Sequence, residues 1–81
     1  HYGLTYTGMK ARQGVVAVDP NVIPLYSRLY IEGSDGSWSY GYAVAGDIGS
    51  AVKGNVIDLF YDDHEYVKRF GKRKVNVYLI E

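Results

Sequence analysis

The chain has 81 residues, no cysteine, two histidines and a formal net charge of zero, from nine basic and nine acidic side chains. That length bounds it to one domain, near the size at which a single core becomes marginal, and the composition leaves neither disulfides nor a histidine metal site as a staple. Balanced charge argues against nucleic acid as the main partner, which would need a basic face, and no apolar run is long enough to span a membrane.

Nine tyrosines and a hydrophobic content of 47% imply that stability comes from packing. The tyrosines fit two roles. They are favoured strand residues, and they also suit carbohydrate, because the ring offers an apolar face and the hydroxyl a hydrogen bond. Because the chain starts at His1 rather than Met, the expectation is a single domain over residues 1–81, processed or excised from a longer protein, exported or cytosolic.

In chain order, residues 1–13 are polar and mixed, with Leu4 and Tyr6 alternating with threonines as a short candidate strand. Gly14–Val18 is a continuous apolar run whose length and β-branching predict a strand buried on both faces. Asp19-Pro20 ends it, because proline cannot donate to a ladder. Residues 21–25 form a loop, and Arg28–Glu32 is a strand with Leu29 and Ile31 on one face. The polar Gly33–Ser39 reads as a hairpin tip carrying Trp38, free to stack on a sugar or folded back over the end of the sheet.

Tyr40–Gly46 alternates as a strand and leads into a glycine-rich turn with Asp47. Val56–Tyr61 is predicted as the next strand, with Asp58 between Val56 and Phe60 on one face and Ile57, Leu59 and Tyr61 on the other. The period then changes to helical over Asp62–Phe70. Asp62 with Glu65 forms an aspartate version of the capping box, and Gly71 supplies the stop. Lys74–Ile80 closes the chain as a strand. Strands apolar on both faces, with only one helix to cover them, favour an all-β fold: a small closed barrel with one short helix.

The chemistry-bearing residues are acids. Asp19 before Pro20 fits a turn opener and Asp47 a turn acid, but Asp58, within a strand, has no local turn to make. An acid held among apolar neighbours costs free energy unless it is paired or kept neutral, so the stretch Ala43–Phe60 is the candidate site. Lys53 fits either a solvated loop or a cation aimed at substrate. His1 and His64 lack ligand spacing, the loop lacks the dense oxygen donors of a calcium loop, and no Ser or Cys pairs with a His base. No metal or cofactor is therefore expected, and carboxylate acid/base chemistry remains.

The segments VAVDPNVIPL, RLYIEG, AVAGDIGSAVKGNVIDLF and KVNVYLI resemble, in order and spacing, the three-aspartate (3D) domain of bacterial cell-wall enzymes. That family includes the small stationary-phase-survival lytic transglycosylases and the barrel of membrane-bound lytic transglycosylase A. The resemblance implies a double-psi β-barrel that cleaves the MurNAc–GlcNAc β-1,4 bond of peptidoglycan glycan strands, outside the cytoplasm or at the wall. It implies Asp58 as the acid/base, Asp47 and Asp19 as the other two aspartates, and Lys53, Gly49, Ser50 and Gly54 as shaping the sugar groove. The alternative it leaves is a non-catalytic wall-glycan-binding or structural barrel. The chain departs from the family pattern at Ile48 for Thr, Ser50 for Gly, Tyr26-Ser27 for Gly-Thr and Gly46 for an acid. His1–Gly8 aligns with a segment that a T-A-Y strand usually precedes, so the expectation is a barrel short of its N-terminal strand, or one completed through a homodimer or strand exchange.

Overall fold

The computed structural model describes residues 3–80. Four strands and one helix run in the order β1 (Val15–Ala17), β2 (Arg28–Gly33), β3 (Ser39–Asp47), α1 (His64–Phe70) and β4 (Val75–Ile80). They make one sheet in the order β1-β3-β2-β4, with β1 parallel to β3 and the other pairs antiparallel. The fold is all-β with one short helix, as expected. Its sheet is open, with β1 and β4 at the edges among the described residues, and is compatible with part of a barrel.

Alternation sets the core. Leu29 and Ile31 of β2 are fully buried, as are Ala45 of β3, Val16 of β1 and Val18 just beyond it, with Ala43 close to them. Ile23, Leu25, Ile57, Leu59, Val75 and Val77 pack around this cluster. Each fully buried Leu, Ile or Val contributes about 1.5–3 kcal/mol relative to an exposed one. With so few of them, loss of any one is a large share of a small domain's stability.

Residues 56–61 do not form the expected strand. Asp58 makes a single antiparallel bridge with Ala17, through the two backbone bonds Ala17 N–H to Asp58 O (3.1 Å) and Asp58 N–H to Ala17 O (3.0 Å). The free edge that it pairs with is short: β1 has three residues and the chain turns at Pro20. The alternation survives without the ladder, since Ile57, Leu59 and Tyr61 are half-buried while Val56, Asp58 and Phe60 are exposed. Asp58 is thus on the open side, and not enclosed among apolar residues as its sequence neighbours suggest.

The Leu4–Thr7 segment is also not a strand. Leu4 bridges Lys10 across a turn in which Gly8 N–H donates to Thr5 O at 2.9 Å. His1 and Tyr2, at the head of the aligned N-terminal segment, lie outside the described residues. No described helix is long and apolar enough to cross a membrane.

At the helix, the cap is Asp63 rather than Asp62. The Asp63 carboxylate accepts from Glu65 N–H (2.9 Å) and Tyr66 N–H (3.3 Å), while Asp62 accepts from the distant Gln13 N–H (3.3 Å). Gly71 ends the helix at φ 63°, a left-handed conformation that favours glycine. Trp38 folds back from the hairpin tip. Its ring meets Phe70 edge-on with centroids 5.0 Å apart, and the Arg73 guanidinium lies over both rings, 4.4 Å from Phe70 and 5.7 Å from Trp38. Tyr61 links this cluster to Tyr40 and Tyr66, and burial among those rings pushes its hydroxyl up to about 12.

Candidate functional site

The register at the end of β3 decides where Asp47 points. Val16 pairs with Ala45, but Ala17 pairs with Asp47, so Gly46 is an extra residue in β3. Such a bulge re-aims the side chain that follows it. Asp47 becomes the neighbour of Ala17 on one side, while the bridge makes Asp58 its neighbour on the other. Cross-strand partners share a face of a sheet. Two carboxylates therefore flank one methyl group on the same face.

Each acid is held differently. Asp47 Oδ1 accepts from Tyr6 N–H (2.8 Å) and Ile48 N–H (3.0 Å). The bulge beside it is clasped by Thr7, whose hydroxyl donates to Gly46 O at 2.7 Å. The Asp58 pKa is raised above the ordinary carboxylate value, first by partial burial of the carboxyl and second by the charge of Asp47. Downstream of Asp58, the Tyr40 hydroxyl donates to Phe60 O (2.6 Å) and accepts from Gly14 N–H (2.6 Å), pinning residues 58–60 against the start of β1.

Asp19 sits apart from this pair and is buried. Its Oδ2 accepts from Gly54 N–H (2.7 Å) and its Oδ1 from Asn21 N–H (3.0 Å). The Gly54 bond and then the Asn21 bond hold its pKa below the ordinary value; burial opposes them, and the positive charge of Lys53 adds the smallest lowering effect. Asp19 is therefore an ionised anchor that ties the loop 48–55 to the end of β1. Gly54 takes φ 67° at that tie, and a Cβ on Gly49 would press on Val52 Cγ2 at 3.2 Å, with Val52 buried as the plug of the loop.

Asp19, Asn21, Ile48, Gly49, Ser50 and Lys53 line a hollow of about 220 Å³. The structure thus brings Asp47 beside Asp58 and gathers Asp19, Lys53, Gly49 and Ser50 around the adjoining loop. Gly54 contributes a backbone N–H to Asp19 rather than a wall of the hollow. Among the described residues, no three His, Cys, Asp or Glu side chains are grouped to hold a metal ion. An acid with a raised pKa beside an ionisable partner can donate and recover a proton.

Sequence reasoning missed three parts of this site. Tyr6 and Thr7 clamp Asp47 and Gly46 from about forty residues away, and nothing in their local pattern signals it. Tyr40 reads only as one residue of an alternating strand. Ala17 is visible as a small residue inside a strand of valines, but its place between two acids is set by register alone.

The 3D domain family matches residues 14–81. This chain belongs to the 3D domain family. It is 43% identical over 82 residues to YabE, a candidate cell wall shaping protein of Bacillus subtilis strain 168, covering 96% of this chain and 19% of that protein. It is also 43% identical over 79 residues to the cell wall-binding protein YocH of the same strain, covering 93% of this chain and 25% of YocH. The SPbeta prophage-derived protein YorM is 34% identical over 76 residues, with 94% of this chain and 31% of YorM covered. The chain therefore spans less than a third of the length of these relatives.

Proposed function

We propose that this 3D domain acts on the peptidoglycan of the cell wall, outside the cytoplasm, as a lytic transglycosylase of the MurNAc–GlcNAc β-1,4 bond. The observation that carries the proposal is the placement of Asp47 and Asp58 on either side of Ala17, where burial and the neighbouring Asp47 charge raise the Asp58 pKa. Membership of the 3D family and the wall-related names of YabE and YocH support the substrate class.

In this reading Asp58, protonated, gives its proton to the glycosidic oxygen as the bond to C1 of MurNAc breaks. The Asp47 carboxylate faces the positive charge that develops on the sugar. The Asp58 carboxylate then takes the proton of the same sugar's 6-hydroxyl as that oxygen bonds to C1. The products are a 1,6-anhydro-muramyl end and a free GlcNAc 4-hydroxyl; Asp58 ends protonated as it began, and no water is consumed. Asp19 holds the loop that presents Lys53, Gly49 and Ser50 to the flanking sugars, and Gly54 supplies the bond that keeps Asp19 in place.

A second reading, a wall-glycan-binding domain without catalysis, is favoured by one feature. Ile48, an apolar residue, follows Asp47 where the family usually offers a threonine hydroxyl. Incubating the domain with purified sacculi and weighing the products separates the readings. Anhydro-muropeptides support the transglycosylase, new reducing ends would mean a hydrolase, and co-sedimentation without products would mean a binder. Release of anhydro product by Asp58→Asn at the wild-type rate would remove Asp58 from the acid/base role.

A further inference from the structure

The outer face of the sheet carries a second feature, separate from the aspartates. Register places Tyr42 of β3 opposite Tyr30 of β2, and Tyr30 opposite Tyr78 of β4. Three tyrosines thus form a row across three strands, about 9–10 Å from first to last at the usual strand spacing. Tyr42 is 76% exposed and Tyr78 50%, whereas Leu29 and Ile31 on the other face of β2 are fully buried. The rings are also positioned. Tyr30 meets Tyr42 edge-on at 5.0 Å, and the Tyr78 hydroxyl donates to Glu32 Oε2 at 3.0 Å.

One step further along the same face, Arg28 pairs in register with Val44 and Ile80. With Arg12 and Tyr42 these residues line a hollow of about 420 Å³. Neither guanidinium forms an ion pair with a carboxylate among the described residues. Cross-strand tyrosine pairing explains the alignment of the rings, but it does not need two arginines gathered beside the row.

We infer that this face is a second glycan-binding surface, on which the tyrosine row stacks pyranose rings and Arg12 and Arg28 take a carboxylate borne by the saccharide. The inference rests on the wall-glycan reading above and deepens it. Flat ring faces meet the apolar faces of sugars, and paired guanidinium N–H groups match carboxylate geometry. The occupant is an acidic glycan: a strand segment whose muramyl units carry free carboxylates on their substituents. Tyr42 lies five residues from Asp47 along β3, roughly 15 Å at strand rise, so a bound strand reaching both places spans more than one sugar.

The test is an NMR titration of the 15N-labelled chain with glycan oligomers cut from sacculi, with their lactyl and stem-peptide carboxylates either free or capped as methyl amides. Shifts at the amides of Tyr30, Tyr42 and Tyr78, with further shifts at Arg12 and Arg28 only for the carboxylate-bearing oligomers, are the expected result. Shifts confined to residues 47–58 overturn this surface and leave the proposed function intact. No shifts anywhere overturn both. Tyr42→Ser with Tyr78→Ser should weaken binding by about tenfold, and Arg28→Gln should do so only for the carboxylate-bearing oligomer. Wild-type affinity in both variants, with their thermal melts unchanged, would refute the assignment.

Discussion

Gly46 is where the fold and the proposed chemistry meet, and replacing it with alanine tests both. A Cβ at this position would lie 2.8 Å from Met9 Sδ and 2.8 Å from Val15 Cγ1. Gly46 is not among the residues with positive φ, so the effect of alanine is steric alone. The Met9 thioether is flexible and can swing aside. Val15 is 3% exposed and β-branched, so it can yield only by moving the backbone of β1. Overpacking of this kind costs about 1–3 kcal/mol. A domain of this size loses about 4–8 °C in Tm per kcal/mol, so Gly46→Ala should lower the melting midpoint by roughly 5–20 °C. The check is a thermal melt followed by circular dichroism, made in the wild-type and Val15→Ala backgrounds. Trimming Val15 removes the immovable contact, so the cost of Gly46→Ala should shrink there by about 1 kcal/mol or more. A midpoint within a degree of wild type, or the same cost in both backgrounds, would refute the claim that close approach at the bulge requires glycine.

Four further outcomes are expected. Tyr26 adopts φ 72° and is 64% exposed, so glycine there relieves about 1–2 kcal/mol of left-handed strain against about 0.5–1 kcal/mol of added chain entropy; Tyr26→Gly should melt slightly higher, and a lower midpoint would show that the ring contributes packing. Because folding raises the Asp58 pKa above 3.8, the charged form subtracts from stability above that pH and not below it. Asp58→Asn should therefore melt above wild type at pH 7 and level with it at pH 3, and the reverse ordering would contradict the raised pKa. Removing the Asp47 charge should let Asp58 ionise at lower pH, so in sacculus digestion the alkaline limb of the Asp47→Asn profile moves toward acid; an unmoved limb would uncouple the pair. Asp19→Asn keeps one acceptor oxygen for the two N–H donors of Asn21 and Gly54, so hydrogen exchange should quicken at one of those amides, with unchanged protection at both sinking the anchor role.

The central hairpin was legible because alternation is a local property: Leu29 and Ile31 face inward whatever their neighbours do. The same reasoning overreached at Val56–Tyr61, where the pattern is right but a ladder depends on the length of the edge it meets. That edge ends at Pro20, a constraint visible in the sequence only once β1 and Asp58 are known to be neighbours. The helix start slipped by one residue because Asp62 and Asp63 offer equal local chemistry. Only the long-range bond of Asp62 to Gln13 N–H leaves Asp63 to cap. For the site, Asp58 was readable as an acid without an ordinary local role, whereas Asp47 and Asp19 also fitted turns. The pairing of Asp47 with Asp58 was not readable, since it depends on an inserted Gly46 and on clamps from Tyr6 and Thr7.

Trp38 is the only tryptophan in the chain, and its position gives the molecule an internal gauge. The indole touches the sheet at Gly33, where a Cβ would run into the ring, and touches the helix at Phe70. Its fluorescence therefore reports whether α1 stays docked, whereas far-ultraviolet dichroism is dominated by the strands. Coincident melts by the two signals would mean that helix and sheet unfold as one unit. An earlier fluorescence transition would mean that α1 detaches while the strands carrying Asp47 and Ala17 are still paired.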